Sequence, residues 1–345
     1  MLYTGEDTFG TQREADAYLA AVRADLQREA WVDPIGGRTL LCDYGARRLS
    51  ERPHLRPRTR ELYEGELRLH ILPVLGAFEL SELTSARIRT WHAELLRAGV
   101  GPTTVAKCYR LLRAILATAV EDSLIVKNPC VIKGAGVESP AERTVATLDQ
   151  VLALAEAIDP RFKAMVLVAT FTGLRLGELR ALRRRNLDLA ERTVTVVEQL
   201  QELADGSFVW GPPKSRAGRR TVAVPAAIVA EIAKHLDSWS GSGPEDYVFG
   251  GTKGQPFRRA TFYKAWHKAT EACGLGDFRF HDLRHTGNTL GATTGASTKE
   301  LMARMGHSSP RAALIYQHAT RERDVKIAEA LSEAILRAPS TVLST

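Results

Sequence analysis

Apolar residues recur at helical spacing over roughly the first third of this chain. A capping box, in which Thr11 is followed three residues later by Glu14, predicts the start of a first helix. Proline and glycine residues around Pro34 break that helix. From Thr39 to about Lys133 the helical pattern continues almost without interruption. The sequence therefore predicts a small all-helical domain in this part of the chain.

The pattern changes beyond this domain. The stretch GAGVESPAERTVAT, from Gly134 to Thr147, mixes glycine, proline, serine and charged residues without an apolar period, as a linker does. Thr147 and Gln150 form a second capping box, which opens another run of helices. The period switches to two in RTVTVVEQ, GSFVWGPP and RRTVAVP before helices return at Ala226. We therefore expect a mainly α protein (α+β) whose second domain is mixed and contains a small antiparallel sheet.

The composition is that of a globular protein with a moderate basic excess. Of 345 residues, 44% are hydrophobic, and 47 Lys and Arg residues outnumber 40 Asp and Glu residues. The net charge of +7 is compatible with a polyanionic partner such as nucleic acid. Arginine supplies 36 of the 47 cations, and its planar fork suits phosphate. A G+C-rich genome encodes the same Arg-rich composition, so composition alone does not identify the partner.

Cysteine usage and hydropathy predict a cytoplasmic protein. The four cysteines are scattered without CxxC or zinc-finger spacing, which favours free thiols in a reducing compartment. No apolar run approaches the roughly 18 residues of a membrane span, and the polar N-terminus has no signal-peptide core. We therefore expect a cytoplasmic location and no membrane partner.

Two basic segments of the helical domain are candidates for DNA contact. One lies at a predicted helix start, where backbone N–H groups also favour phosphate, and the other forms one face of a later helix. The candidate residues are Arg56, Arg58, Arg60, Lys107, Arg110 and Arg113. A solvated surface without a partner is the alternative interpretation, because most surface charge has none.

The segment HDLRHT carries two histidines, a carboxylate and an arginine within six residues. His281 and His285 have the spacing of the H-E-x-x-H zinc helix, so a metal site is one interpretation. Asp282 stands where that motif has the longer Glu, and Arg284 would place a positive charge beside the metal, so zinc is disfavoured. The remaining interpretations are a structural polar patch and a clamp on a phosphate group.

A phosphate clamp needs further cations and a nucleophile from distant parts of the chain. Arg175 is predicted at a helix start, with Glu178 one turn later to orient it. Lys214 is predicted at the tip of a hairpin between two strands. His307 and Tyr316 follow near the end of the chain, nine residues apart.

Taken together, these residues resemble the tyrosine recombinases, specifically the phage-type site-specific integrases. The ordered motifs are TGLRLGEL, PPKSRAGRRT, HDLRHT and MGHSSPRAALIY, and the likeness extends from Thr8 to about Arg337. The resemblance implies a helical SAM-like core-binding domain followed by a mixed α/β catalytic domain. It also implies a site-specific recombinase that integrates or excises a phage genome or other mobile element.

The resemblance assigns a role to each candidate. Tyr316 is the nucleophile that forms a 3′-phosphotyrosine bond, and Lys214 protonates the leaving 5′-oxygen. Arg175 and Arg284 bind the non-bridging oxygens of the scissile phosphate. His281 exchanges a proton near the nucleophile.

The remaining motif residues have supporting roles. His307 donates a hydrogen bond to a phosphate oxygen, Glu178 supports Arg175 from behind, and His285 makes a structural contact inside its helix. No metal and no nucleotide cofactor is expected, since the sequence has neither a G-x-x-x-x-G-K-[ST] loop nor a clustered acidic triad.

We predict five segments along the chain. Residues 1–36 form a truncated arm-binding-like helical segment, because about ten residues before the first helix cannot supply three strands. Residues 37–134 form the core-binding domain, 135–147 a linker, 148–337 the catalytic domain with a C-terminal tail helix, and 338–345 a disordered tail.

The expected partners follow from the same resemblance. They are double-stranded DNA at attachment sites and three further copies of the chain in a tetramer on DNA. A directionality factor and a host DNA-bending protein are further candidate partners. Two alternatives stay open: a type IB topoisomerase-like nicking and closing enzyme, and a DNA-binding regulator whose catalytic residues are idle.

Overall fold

The computed structural model describes residues 9–27, 36–138, 144–251 and 254–306. The chain divides into two compact units, Met1–Ala141 and Glu142–Thr345. This division falls within the segment 135–147 that the sequence analysis assigned to a linker, and the finer domain boundaries stay a prediction. No helix among the described residues is long and apolar enough to cross a membrane.

The first unit is built from helices. They are α1 (Gln12–Gln27), α2 (Leu41–Ser50), α3 (Pro57–Glu66), α4 (Leu72–Leu75), α5 (Ser85–Arg97) and α6 (Pro102–Glu121). The long helix α6 begins with Pro102 in its first turn, where the missing N–H costs nothing. Its buried residues recur every three or four positions, from Val105 to Ala119, and pack in one core with Trp91 and Tyr44.

A π-helical turn, Leu67–Ile71, joins α3 to α4. Pro73 has no N–H, so the ordinary α-helical bond to the carbonyl of Leu69 cannot form. The N–H of Leu72 bonds instead to the carbonyl of Leu67, five residues back. The indole N–H of Trp91 donates to the carbonyl of His70 over 2.8 Å. A buried side chain of α5 thus hydrogen-bonds the carbonyl of His70 within the π-helical turn.

The second unit surrounds a buried central helix with further helices and two small sheets. Its helices are α7 (Leu148–Ala157), α8 (Pro160–Thr172), α9 (Leu176–Ala181), α10 (Val229–Trp239), α11 (Arg259–Ala272), α12 (Asp282–Thr293) and α13 (Thr298–Met305). Helix α8 is buried on all sides from Ala164 to Thr170, and α7, α10 and α12 pack against it.

The strands are β1 (Leu187–Asp188), β2 (Thr193–Val196), β3 (Gln199–Glu202), β4 (Phe208–Gly211) and β5 (Arg220–Ala223). They form a three-stranded antiparallel sheet in the order β1-β2-β5 and a separate hairpin of β3 and β4. In the larger sheet Val194 lies opposite Val222, and both are buried. The mainly helical fold with a small antiparallel component is as expected.

Helices α8 and α12 approach each other closely at one glycine. A Cβ atom built on Gly287 would lie 1.8 Å from the carbonyl oxygen of Thr170, which belongs to α8. Only glycine therefore fits at this crossing. One residue before it, the hydroxyl of Thr286 accepts a hydrogen bond of 3.1 Å from the backbone N–H of Ala146. Both contacts fix the position of α12, the helix that carries the HDLRHT motif.

Candidate active site

A buried carboxylate, that of Glu178, is the centre of the site. Helix α8 ends at Thr172, and its C-cap residue Gly173 turns the chain with a φ of +66°. Arg175 is then the N-cap residue of α9. The Arg175 backbone N–H donates to Glu178 over 3.0 Å, and its guanidinium donates to the same carboxylate over 2.8 Å. The Glu178 side chain is 1% exposed, whereas that of Arg175 is 35% exposed. The capping geometry of α9 therefore leaves the predicted clamp residue accessible while its carboxylate partner is buried.

A second arginine, Arg220 at the start of β5, also donates to this carboxylate. Its Nη2 lies 3.0 Å from Oε2 of Glu178, and its side chain is 6% exposed. Burial alone would raise the pKa of Glu178, but the charge and hydrogen bonds of Arg220, followed by those of Arg175, outweigh burial and lower this pKa. Glu178 is thus held in its ionised form by two guanidinium groups.

Arg284 on α12 is the third guanidinium of this cluster. Its Nη1 donates to the carbonyl of Gly173 and its Nη2 to the carbonyl of Met305. The residue is 4% exposed. Burial, with the neighbouring charges of Arg175 and Arg220, lowers the pKa of Arg284 to about 9. The two acceptors of its Nη groups are carbonyl oxygens, which carry no formal charge.

All three arginines donate hydrogen bonds to backbone carbonyls at the end of α13. Arg220 donates to the carbonyl of Arg304 over 2.9 Å, Arg284 to that of Met305, and Arg175 to that of Gly306 over 3.5 Å. Gly306 has a φ of +63°, and a Cβ there would lie 2.7 Å from the carbonyl oxygen of Ala217. The three consecutive carbonyls are therefore fixed immediately before position 307.

Lys214 lies exposed in the segment between β4 and β5. The expectation of a hairpin tip is wrong, because β4 pairs with β3 and β5 pairs with β2. The segment crosses from one sheet to the other instead. Within it, a Cβ on Gly218 would lie 2.5 Å from Pro213, so the chain folds tightly beside Lys214.

His281 precedes the first residue of α12 and is exposed. Its ring lies edge-on to that of His285, with 5.1 Å between the ring centroids. Asp282, the residue that would be the base of a zinc helix, is buried and accepts the backbone N–H of Arg279 over 2.9 Å. Among the described residues no group of three or more His, Cys, Asp and Glu side chains could hold a metal ion.

His307 and Tyr316 lie outside the described residues, so their positions stay predictions. The structure brings Arg175, Glu178 and Arg284 into one cluster and places Lys214 on a segment in contact with Gly306 through Ala217.

Sequence reasoning missed Arg220. The signal was present, because Arg220 lies two residues before the buried Val222, and alternate residues of a strand face the same side of a sheet. An arginine at a core-facing strand position needs an internal partner.

The six basic residues predicted to contact DNA lie on α3 and α6 or immediately before α3, and these two helices pack together. Arg56, Arg58, Arg110 and Arg113 are exposed, and Lys107 and Arg60 are half-buried. The location is compatible with a common basic surface.

Arg58, Arg60 and Arg110, among these six basic residues, have partners within the unit. Arg60 donates to the carbonyls of Leu49 and Arg52 over 3.0 and 2.8 Å, and so ties α3 to the end of α2. Arg58 pairs with a glutamate one turn later. Arg110 pairs with Glu138 and donates to the carbonyl of residue 136 over 2.7 Å. DNA contact by Arg110 would therefore compete with a carboxylate of the same chain.

Comparison with known proteins identifies the family. The profile of the phage integrase family matches residues 144–323, and that of the phage integrase N-terminal SAM-like domain matches residues 50–96. The putative prophage phiRv2 integrase of Mycobacterium tuberculosis (strain ATCC 25618 / H37Rv) is 36% identical over 96% of this chain and 89% of its own length. The chain belongs to the phage integrase family. The resemblance inferred from the four motifs is thereby confirmed.

Other members of the family extend the comparison. The integrase of Mycobacterium phage L5 is 34% identical over 96% of this chain and 91% of its own length. Among solved structures, the Tn1549 transposon integrase in complex with a circular intermediate DNA matches with a TM-score of 0.74 at 21% identity, covering 85% of this chain and 99% of its own. A lambda integrase tetramer bound to a Holliday junction matches with a TM-score of 0.63 at 18% identity, covering 90% and 88%. These structures confirm the predicted fold class.

Proposed function

We propose that this phage integrase cuts and rejoins DNA at attachment sites through a covalent bond between DNA and Tyr316. The phenol oxygen of Tyr316 attacks the scissile phosphorus, so that a P–O bond to tyrosine forms as the P–O5′ bond breaks. The phenol proton passes to a base, for which His281 is the candidate, and Lys214 supplies a proton to the 5′-oxygen. Attack by a 5′-hydroxyl of the partner strand reverses these steps, and the net result is integration or excision of a mobile element.

The cluster around Glu178 is the observation that carries this proposal. Three guanidinium groups, those of Arg175, Arg220 and Arg284, face one carboxylate, which leaves an excess of two positive charges in a largely buried place. Such an excess favours an anion, because burial weakens solvent screening. A phosphodiester supplies one negative charge in the ground state and gains a second in the pentacoordinate transition state.

The same charges explain rate acceleration. Donors that are already in place when charge develops need no reorganisation, and one such donor is typically worth several kcal/mol. Arg175, with its accessible guanidinium, and Arg284, which donates to the carbonyl of Gly173, are the residues that we assign to the non-bridging oxygens. His307 is assigned a hydrogen bond to the same phosphate, and Glu178 supports Arg175.

We further propose that the reaction needs neither metal nor ATP. Guanidinium groups take the part that metal ions play in other phosphoryl transfers, and the phosphotyrosine bond conserves the energy of the broken phosphodiester. Cleavage should therefore continue in EDTA and without nucleotide. If chelation abolishes cleavage and added zinc restores it, His281 and His285 are metal ligands after all.

The proposed partners are attachment-site DNA and a tetramer of this chain. Contact with DNA is assigned to the α3 and α6 surface of the first unit, with Arg56, Arg58, Arg60, Lys107, Arg110 and Arg113 as candidates. The lambda integrase tetramer on a Holliday junction supports the assembly by analogy. A directionality factor and a host DNA-bending protein complete the proposal, and we place the reaction in the cytoplasm, at the nucleoid.

A suicide substrate tests the central claim. Such a DNA carries a nick next to the cleavage site, so that the 5′-hydroxyl fragment diffuses away and the covalent complex accumulates. The wild-type chain should form a protein–DNA adduct that survives denaturation, and Tyr316→Phe should form none while its DNA affinity stays within a few-fold.

Tyr263→Phe is the matched control, because Tyr263 is half-buried on α11 and packs against Phe262. It should form the adduct at the wild-type rate. An adduct with Tyr316→Phe would move the nucleophile elsewhere, and no adduct with the wild-type chain would favour an idle DNA-binding regulator.

A further inference from the structure

Arg220 is fully occupied by contacts within the second unit. Its Nε donates to the carbonyl of Arg304 over 2.9 Å, and its Nη1 to the carbonyl of Gly218 over 3.0 Å. Its two terminal nitrogens reach the Glu178 carboxylate over 3.4 and 3.0 Å, and Nη2 also lies 3.5 Å from the carbonyl of Gly173. These are five hydrogen bonds, and a guanidinium has five N–H groups.

This arrangement excludes Arg220 from direct contact with a phosphate. What excludes it is the occupation of all its donors by protein acceptors, and not its burial, since Arg284 is buried as well. Arg175 and Arg220 share one carboxylate but differ in what they can reach. Arg175 can contact a substrate, whereas Arg220 hydrogen-bonds only to groups of the protein.

The groups that Arg220 holds belong to separate parts of the candidate active site. Glu178 is the carboxylate against which Arg175 rests. Gly218 lies in the segment that carries Lys214 and contacts Pro213, next to that lysine. Arg304 stands three residues before His307, at the end of α13. One side chain therefore joins three segments that the sequence separates widely.

We propose that Arg220 is a positioning residue for DNA strand cleavage. It fixes Arg175 through Glu178, the Lys214 segment through Gly218, and the end of α13 through Arg304. This inference rests on the proposed function, since it names the residue that sets the geometry of that site. It adds to the six catalytic candidates a seventh residue that acts without touching DNA.

The shape of the guanidinium explains why another cation does not suffice. Lysine has one nitrogen and three donors, so it can meet the carboxylate but not four carbonyl and carboxylate groups spread around a plane. Arg220→Lys keeps the charge beside Glu178 and loses the contacts to Gly218 and Arg304. The two substitutions Arg220→Ala and Arg220→Lys therefore separate charge from positioning.

The test measures the rate of adduct formation by the full chain on the suicide substrate, at saturating protein, together with DNA affinity. A displacement of catalytic groups by about 1 Å can cost about 100-fold in rate. We expect Arg220→Ala to slow adduct formation by about 100-fold and Arg220→Lys by about 10-fold, with the dissociation constant for DNA changed by less than about 3-fold.

Arg219→Ala is the matched control. Arg219 is the adjacent residue, carries the same charge and is exposed. Its removal should leave the rate at saturation within about 2-fold of wild type, even if the DNA dissociation constant rises.

A double substitution distinguishes positioning from a general loss of structure. If Arg220 acts largely through Arg175, the loss caused by Arg220→Ala should shrink from about 100-fold to less than about 10-fold in an Arg175→Ala background. The same 100-fold loss in the Arg175→Ala background and also in a Lys214→Ala and a His307→Ala background would contradict the proposal. Thermal melting identifies unfolded variants, and if Arg220→Ala does not fold, the rate of Arg220→Lys decides.

The outcomes are distinguishable from failure of the proposed function. A wild-type chain that forms no adduct refutes the proposed function, and this inference falls with it. A wild-type chain that forms the adduct, beside folded Arg220→Ala and Arg220→Lys variants that react at the same rate, refutes the inference alone.

Discussion

Substitution of Gly287 by alanine should disturb the site through the packing of α12 against α8. The new Cβ would lie 1.8 Å from the carbonyl oxygen of Thr170, and real Cβ atoms essentially never come closer than 3.0 Å. Both atoms belong to helices of the core, so no flexible side chain can yield. The two helix backbones must therefore separate by more than 1 Å at this point.

The loss of folding stability caused by Gly287→Ala is the difference between two opposing effects. Overpacking of a core costs up to about 3 kcal/mol, and alanine is favoured over glycine inside a helix by about 1 kcal/mol. The net loss of about 2 kcal/mol corresponds to a fall in Tm of about 4–8 °C for a unit of this size. Because Arg284 lies on the displaced helix, adduct formation should also slow by about 100-fold.

Calorimetry and the suicide-substrate assay measure the two effects. The matched control is Gly291→Ala on the same helix, where the new Cβ would meet only the end of the Leu301 side chain at 3.0 Å. Its Tm should be unchanged or slightly higher. If Gly287→Ala melts and reacts like the wild-type chain, the close approach of α12 to α8 is not what fixes Arg284.

Three further substitutions test charge roles. Lys214→Ala should slow cleavage of an ordinary phosphodiester strongly but slow it far less when sulfur replaces the bridging 5′-oxygen, because a thiolate leaves without a proton. Arg175→Ala should slow cleavage of both substrates. If sulfur restores cleavage by Arg175→Ala and not by Lys214→Ala, the roles assigned to Arg175 and Lys214 are reversed. Glu138→Gln should tighten DNA binding by a few-fold at low salt, because it releases Arg110 from its ion pair. If a DNA-binding titration gives the wild-type affinity, Arg110 does not contact DNA.

Local features of the fold were predictable because their causes are local. The capping box of α7 forms as expected, with Thr147 and Gln150 exchanging hydrogen bonds of 2.9 and 3.2 Å. The helix that begins after His281 and the contact between Arg175 and Glu178 also depend on residues a few positions apart. Spacing along the chain is sufficient information for such contacts.

Strand partners were not predictable in the same way. Alternation along RRTVAVP tells which residues face the core, but it does not tell that β5 pairs with β2 and not with β4. The wrong prediction of a hairpin tip at Lys214 arose because the pattern of alternation does not identify strand partners. The contacts of Arg220 were not predicted for the same reason, since four of its five acceptor atoms belong to residues 42 to 84 positions away.

The hydrogen bond between Ala146 and Thr286 has a mechanical consequence. Ala146 is buried at the start of the second unit, and its N–H is bonded to the helix that carries Arg284 two residues earlier. A truncation that removes Ala146 therefore also removes a restraint on α12, although Ala146 lies 140 positions from Thr286 in the sequence.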